Sequence, residues 1–121
     1  MVINNCYVKD GLWDKVENEI TLIANAVHKK GAILKVIIET CLLDDLEKVR
    51  LCEIVTMAGA EYIKTSTGFG SAGATLEDVL LMSSNVGEGV KVKAAGGIRT
   101  RELAEQMIAN GASRIGASAL K

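Results

Sequence analysis

"AGAEYIKTSTGFGSAGATLED", Ala58 to Asp78, contains a complete passage from helix to strand to loop to helix. Gly59 reads as a helix stop, because glycine takes without steric cost the left-handed conformation that ends a helix. Glu61 to Thr65 reads as a short strand, and residues 66–74 as a loop of small side chains. Thr75, with Asp78 three positions on, opens the next helix. Lys64 is the anomaly: it puts an amine at the end of a strand that should otherwise be apolar.

The same grammar extends in both directions. Apolar residues at Trp13, Val16, Ile20, Ile23 and Val27 step by three or four and predict a helix over 12–29, with Gly31 ending it. "LKVIIE", Leu34 to Glu39, has the β-branched run of a strand buried on both faces. Asp44 and Glu47 have capping-box spacing, and the helix they open runs to Gly59. The helix opened by Thr75 stops at Gly87, and Val90 to Ala94 makes a strand. A further helix begins near Thr100, with Leu103, Ala104, Met107 and Ile108 as its stripe, and Gly111 ends it. "SRIGAS" is a last strand and turn, and the opening "MVIN" reads as another strand.

A Gly-Ala pair precedes three of these strands, at Gly31, Gly59 and Gly111, which suggests repeated helix-loop-strand units. With no proline and no linker-like stretch, residues 1–121 read as one α/β domain with a parallel sheet. Two architectures compete. A (βα)₈ barrel needs about 250 residues, so length alone favours a doubly wound open sheet.

Composition narrows the function. The net charge is −1 and no basic stripe stands out, which argues against nucleic acid and anionic membrane as partners. No apolar run approaches the roughly 20 residues needed to span a bilayer. Cys6, Cys41 and Cys52 lack metal-ligand spacing, and His28 is the single histidine. The expectation is no metal site, and free thiols in a reducing cytoplasm, acting as small core hydrophobes.

Lys35, Lys64 and Lys93 fall in three successive strands, and the last two immediately precede small-residue loops. Those loops lie at strand C-terminal ends, where α/β folds place their sites. Two amines held close repel as ammonium ions, so one releases its proton more readily and becomes a nucleophile toward a carbonyl. Spacing alone leaves open that the lysines merely extend to solvent from strand ends. "STGFGSAGAT", "AAGGIRT" and "GAS" offer backbone N–H groups to an anion, and "GGIRT" leads into a helix N-terminus. Ordinary turn chemistry would also account for them.

Gly68, Gly70 and Gly73 match a dinucleotide fingerprint numerically, but no acidic ribose reader follows at the expected place. Glu39 reads either as a site carboxylate or as the partner of a lysine. Arg99 either holds phosphate or caps the sheet end. His28 suits a helix C-terminus, Trp13 the core, and Asp44 and Asp45 helix caps.

Taken together, "LKVIIET", "AGAEYIKTSTGF", "VKAAGGIRT" and "RIGAS" resemble the second half of deoxyribose-phosphate aldolase, in family order and spacing across nearly the whole chain. The resemblance implies part of a (βα)₈ barrel, with about five parallel strands and four helices. It implies that Lys64 is the Schiff-base lysine, that Lys93 favours its neutral amine, and that Lys35 lines the site. Thr67, Gly68, Gly96, Gly97 and Ser118 match the phosphate-binding loops.

The implied reaction is reversible cleavage of 2-deoxyribose 5-phosphate to acetaldehyde and glyceraldehyde 3-phosphate, with no metal or organic cofactor. The family's proton-relay aspartate stands directly before the segment matching "MVIN", outside this sequence, and Asp10 is a poor substitute. Impaired turnover is therefore expected, and self-association through exposed barrel edges. The alternative expectation is a noncatalytic half-barrel that at most binds phosphate.

Overall fold

The structure, a computed structural model, describes residues 1–117. Helices α1 (Asn5–Lys9) and α2 (Trp13–Lys29) lead into strand β1 (Lys35–Ile37) and a single 3₁₀ turn, Thr40–Leu42. Then α3 (Asp45–Ala58), β2 (Tyr62–Lys64), α4 (Leu76–Asn85), β3 (Lys91–Ala95), α5 (Arg101–Ala109) and β4 (Ala112–Gly116) follow in strict alternation.

The boundaries have local causes that the sequence carries. Asp44 accepts the Glu47 N–H while the Glu47 side chain accepts the Asp44 N–H, a complete capping box. Thr75 accepts the Asp78 N–H and Thr100 the Leu103 N–H, each hydroxyl satisfying a helix donor that would otherwise lack a partner. Gly59 closes α3 at φ 84°.

All strand pairs are parallel, and spatial order follows chain order, β1-β2-β3-β4. This corrects the length-based expectation of a doubly wound sheet, whose strand order would reverse at a switch point. Unidirectional winding instead makes the arc of a (βα)₈ barrel, with its helices on one side. Val36, Ile63, Val92 and Ala94 point to the helix side and are buried in a core shared with Ile20, Leu51, Val79 and Met107. The opposite face carries Lys35, Ile37, Lys64 and Lys93, all half-buried. "LKVIIE" is thus covered on one face among the described residues, not on both.

Two further expectations change. "MVIN" forms only one parallel bridge, Val2 with Ile37, secured by hydrogen bonds from Ile3 N to Ile37 O and from Ile37 N to Met1 O. Asn4 ends it by capping α1, accepting the Cys6 and Tyr7 N–H groups, so among the described residues five α-helices stand where about four were expected. Among the described residues, no helix is long and apolar enough to cross a membrane.

Candidate active site

Strand register brings the lysines together. Lys64 of β2 is the direct partner of Lys93 on β3. Lys35 pairs with Tyr62 rather than with Lys64, so it lies two residues nearer the N-terminal end of the same face. The even sequence spacing therefore becomes a stagger, as barrel shear requires. Arg114 of β4 pairs with Lys93 and lies over the Tyr62 ring at 4.4 Å, adding a fourth cation that the sequence reading missed. Its signal was the register of β4 itself, which a bulge after Val92 shifts.

Adjacent strands stand about 4.8 Å apart, which sets these cations side by side. The Lys93 amine is held below the ordinary lysine value, first by burial and then by the charges of Lys35, Lys64 and Arg114. Gly116 makes room for it: a Cβ there would stand 3.3 Å from Lys93 Cε.

At the C-terminal ends of the strands lies a cavity of about 370 Å³. Lys64 forms one wall, and Thr67, Gly68, Gly96, Gly97 and Arg99 form others. Lys35 and Lys93 are not among the residues that line it. Ser118 lies outside the described residues. A larger hollow of about 440 Å³, beside Trp13 and Arg50, collects none of these groups.

The two glycine loops are fastened backbone to backbone. A Cβ on Gly73 would lie 2.2 Å from the Gly96 carbonyl oxygen, and the Ala74 N–H donates to both Ala95 O and Gly96 O at 3.0 Å. Beneath them Thr65, fully buried, donates its hydroxyl to Ala95 O and accepts the Ala95 N–H, both at 3.1 Å. The sequence showed Gly73 only within a rejected dinucleotide fingerprint and Thr65 only as a strand end, because a contact between two loops leaves no periodic trace.

Glu39 does not follow the reading that paired it with a lysine. It has no ion pair with a lysine among the described residues. Its carboxylate accepts the Thr67 N–H at 3.1 Å and the Thr67 hydroxyl at 2.5 Å. Away from the site, His28 bonds Glu61 at the foot of β2, and Arg50 stacks on Trp13 at 5.0 Å. Cys52 is a core residue, with burial pushing its thiol up to about 12.

No family model matches the chain. It is 58% identical over 119 residues to deoxyribose-phosphate aldolases of Bacillus cereus strain AH820 and Bacillus thuringiensis subsp. konkukian, covering 98% of this chain and 53% of theirs. A solved aldolase called QR15 superimposes with a TM-score of 0.89 at 44% identity, over 98% of this chain and 52% of that one. The tetrameric deoxyribose-phosphate aldolase of Aeropyrum pernix does so with a TM-score of 0.80 at 36% identity, over 86% and 45%. The chain spans about half the length of the curated relatives it matches, and over that span it belongs to the deoxyribose-phosphate aldolase family.

Proposed function

We propose that this chain carries the amine chemistry of a class I aldolase, with Lys64 as the Schiff-base nucleophile. The observation that supports this is the placement of Lys64: it is the lysine on the cavity wall, and it is in register with Lys93. In the neutral form its Nζ attacks the carbonyl carbon of acetaldehyde, and loss of water from the carbinolamine leaves an iminium. The iminium withdraws electrons, so a methyl proton leaves and an enamine forms. The enamine carbon attacks the aldehyde of glyceraldehyde 3-phosphate, making the carbon–carbon bond, and water then releases Lys64 and 2-deoxyribose 5-phosphate.

The scheme uses the Lys64 amine in its neutral form, with Lys93 beside it in register. Gly68, Gly96, Gly97, Ser118 and Arg99 would hold the phosphate, and Lys35 would line the approach to the amine. No metal or organic cofactor enters this scheme. The whole chain acts as one domain, and its three free thiols suit a reducing cytoplasm.

Borohydride trapping with acetaldehyde, read by peptide mapping, tests this reading. An ethyl adduct confined to Lys64 and lost in Lys64→Ala is the expected result. The lowered Lys93 amine favours one competing assignment, in which the adduct sits on Lys93, and the same map decides between them. Scattered or absent labelling would favour the noncatalytic half-barrel.

We also infer self-association. Among the described residues, β4 has a strand partner on one side only, and the lysine face has no covering layer. Such edges pair readily. Light scattering that finds only monomer at concentrations where the chain is folded would overturn this.

A further inference from the structure

Glu39 is the one described residue other than glycine with positive φ, at 55°. That conformation brings side-chain Cβ close to the following carbonyl and persists only where surrounding structure holds it. What Glu39 holds in return is loop 66–70. Its buried carboxylate takes the Thr67 N–H on one oxygen and the Thr67 hydroxyl on the other. Thr67 Oγ1 in turn accepts the Phe69 N–H at 3.1 Å. Gly70 closes against the same group, where a Cβ would meet Glu39 Oε1 at 3.2 Å and Cys41 Sγ at 2.9 Å. The strained end of β1 thus shapes the loop that leaves Lys64.

Resting on the phosphate-loop reading above, we propose that Glu39 is a positioning residue. It ties the loop after Lys64 and leaves Thr67 with no donor for a phosphate. A threonine has two such donors, its N–H and its hydroxyl, and both face Glu39. The anion is then met by the Gly68, Gly96 and Gly97 side of the cavity, with Thr67 acting only through shape. A carboxylate so near an anion site is tolerable because its charge is directed into these two hydrogen bonds.

The test is a double-mutant cycle on the full chain, with Glu39→Gln, Thr67→Val and both together. The probe is inorganic phosphate, followed by amide NMR. The expected result is about tenfold weaker binding in each single variant and no further loss in the double. Thr67→Ser, which keeps the hydroxyl, should retain wild-type affinity.

Additive losses, or full binding in Glu39→Gln alongside weak binding in Thr67→Val, would overturn the proposal by showing that Thr67 contacts the anion itself. If the wild-type chain shows no phosphate shifts, the phosphate-loop reading fails separately. Amide exchange then decides the loop-setting role: Glu39→Gln must speed exchange at Thr67 and Phe69 about tenfold and leave α3 unchanged. Unchanged exchange overturns it. Glu39→Asp serves if Glu39→Gln does not fold.

Discussion

Lys64 and Lys93 are direct partners across the β2–β3 ladder, on the face of the sheet that the helices do not cover. Lysines so placed cannot both keep a full charge cheaply, and the structure assigns a lowered value to Lys93, through burial and then through Lys35, Lys64 and Arg114. Removing that neighbour should slow the chemistry at Lys64. Lys93→Met is expected to cut the rate of acetaldehyde trapping at Lys64 by about tenfold near neutral pH, the low end of what a neighbouring like charge achieves. Lys93→Arg keeps the charge and should keep most of the rate. Equal slowing in both variants would mean that Lys93 acts through its own proton or its shape.

The contact between Gly73 and Gly96 is the second place where one atom decides a great deal. Gly73→Ala would force a methyl to 2.2 Å from the Gly96 carbonyl oxygen, which backbone must move to avoid. The expected cost is about 1–3 kcal/mol, with loss of phosphate binding as the two loops separate. Gly89 is the control, since a Cβ there meets nothing within 4 Å although φ is 87°. Gly89→Ala should cost about 1 kcal/mol from backbone strain alone and leave phosphate binding intact. Urea unfolding with phosphate titration on both variants separates the two effects.

The parts of this fold set by local chemistry were legible in the sequence. The Asp44–Glu47 box, the Thr75 and Thr100 caps and the Gly59 stop each bind their own neighbours in the chain, so residue type and spacing disclose them. The alternation of helix and strand followed, and with it the convergence of Lys35, Lys64 and Lys93. The winding did not follow from pattern or length and came only with the resemblance to a barrel family, because a doubly wound and a singly wound sheet use the same βα units and differ only in which neighbour each strand chooses. Glu39 was equally opaque. Its partner, Thr67, lies on the next strand's loop, and the carboxylate's choice of two neutral donors over a lysine depends on a backbone twist that no pattern encodes.

At the foot of the sheet, Glu61 links three segments, accepting the Leu34 N–H at 2.9 Å and bonding His28 Nε2 at 2.5 Å. Desolvation pushes its carboxyl up, but the Leu34 bond and His28 outweigh this and hold it below the ordinary value of 4.5. A depressed carboxyl stabilises the fold above its unfolded value, and that contribution is lost as pH falls through the folded value. The stability advantage of the wild-type chain over Glu61→Gln should therefore be complete at pH 7 and shrink from roughly pH 4.5 downward. Melting temperatures of both chains across pH 3 to 7 check this. A constant gap would assign the contribution of Glu61 to hydrogen bonding that survives protonation.

Lys48 and Asp78 form the buried counterpart, 2.7 Å apart between α3 and α4, with side chains only 10% and 12% exposed. Burial disfavours the Lys48 ammonium, yet hydrogen bonding to Asp78 and its charge, with help from Asp45, raise it above the ordinary 10.5. A raised amine contributes stability that is complete below its unfolded value and is lost only as pH climbs through the folded one. The pair should thus be insensitive to pH from neutral to about 10 and weaken beyond that. Asp78→Ala leaves a buried cation with one exposed partner, Asp45 at 3.4 Å, and should cost about 3 kcal/mol. Lys48→Met with Asp78→Leu removes both charges and keeps volume, so it should recover most of that loss. Urea unfolding of the two variants at pH 7 decides it. If the double variant is no more stable than Asp78→Ala, the pair contributes through its hydrogen bonds to α3 and α4, and an apolar contact of similar size cannot replace it.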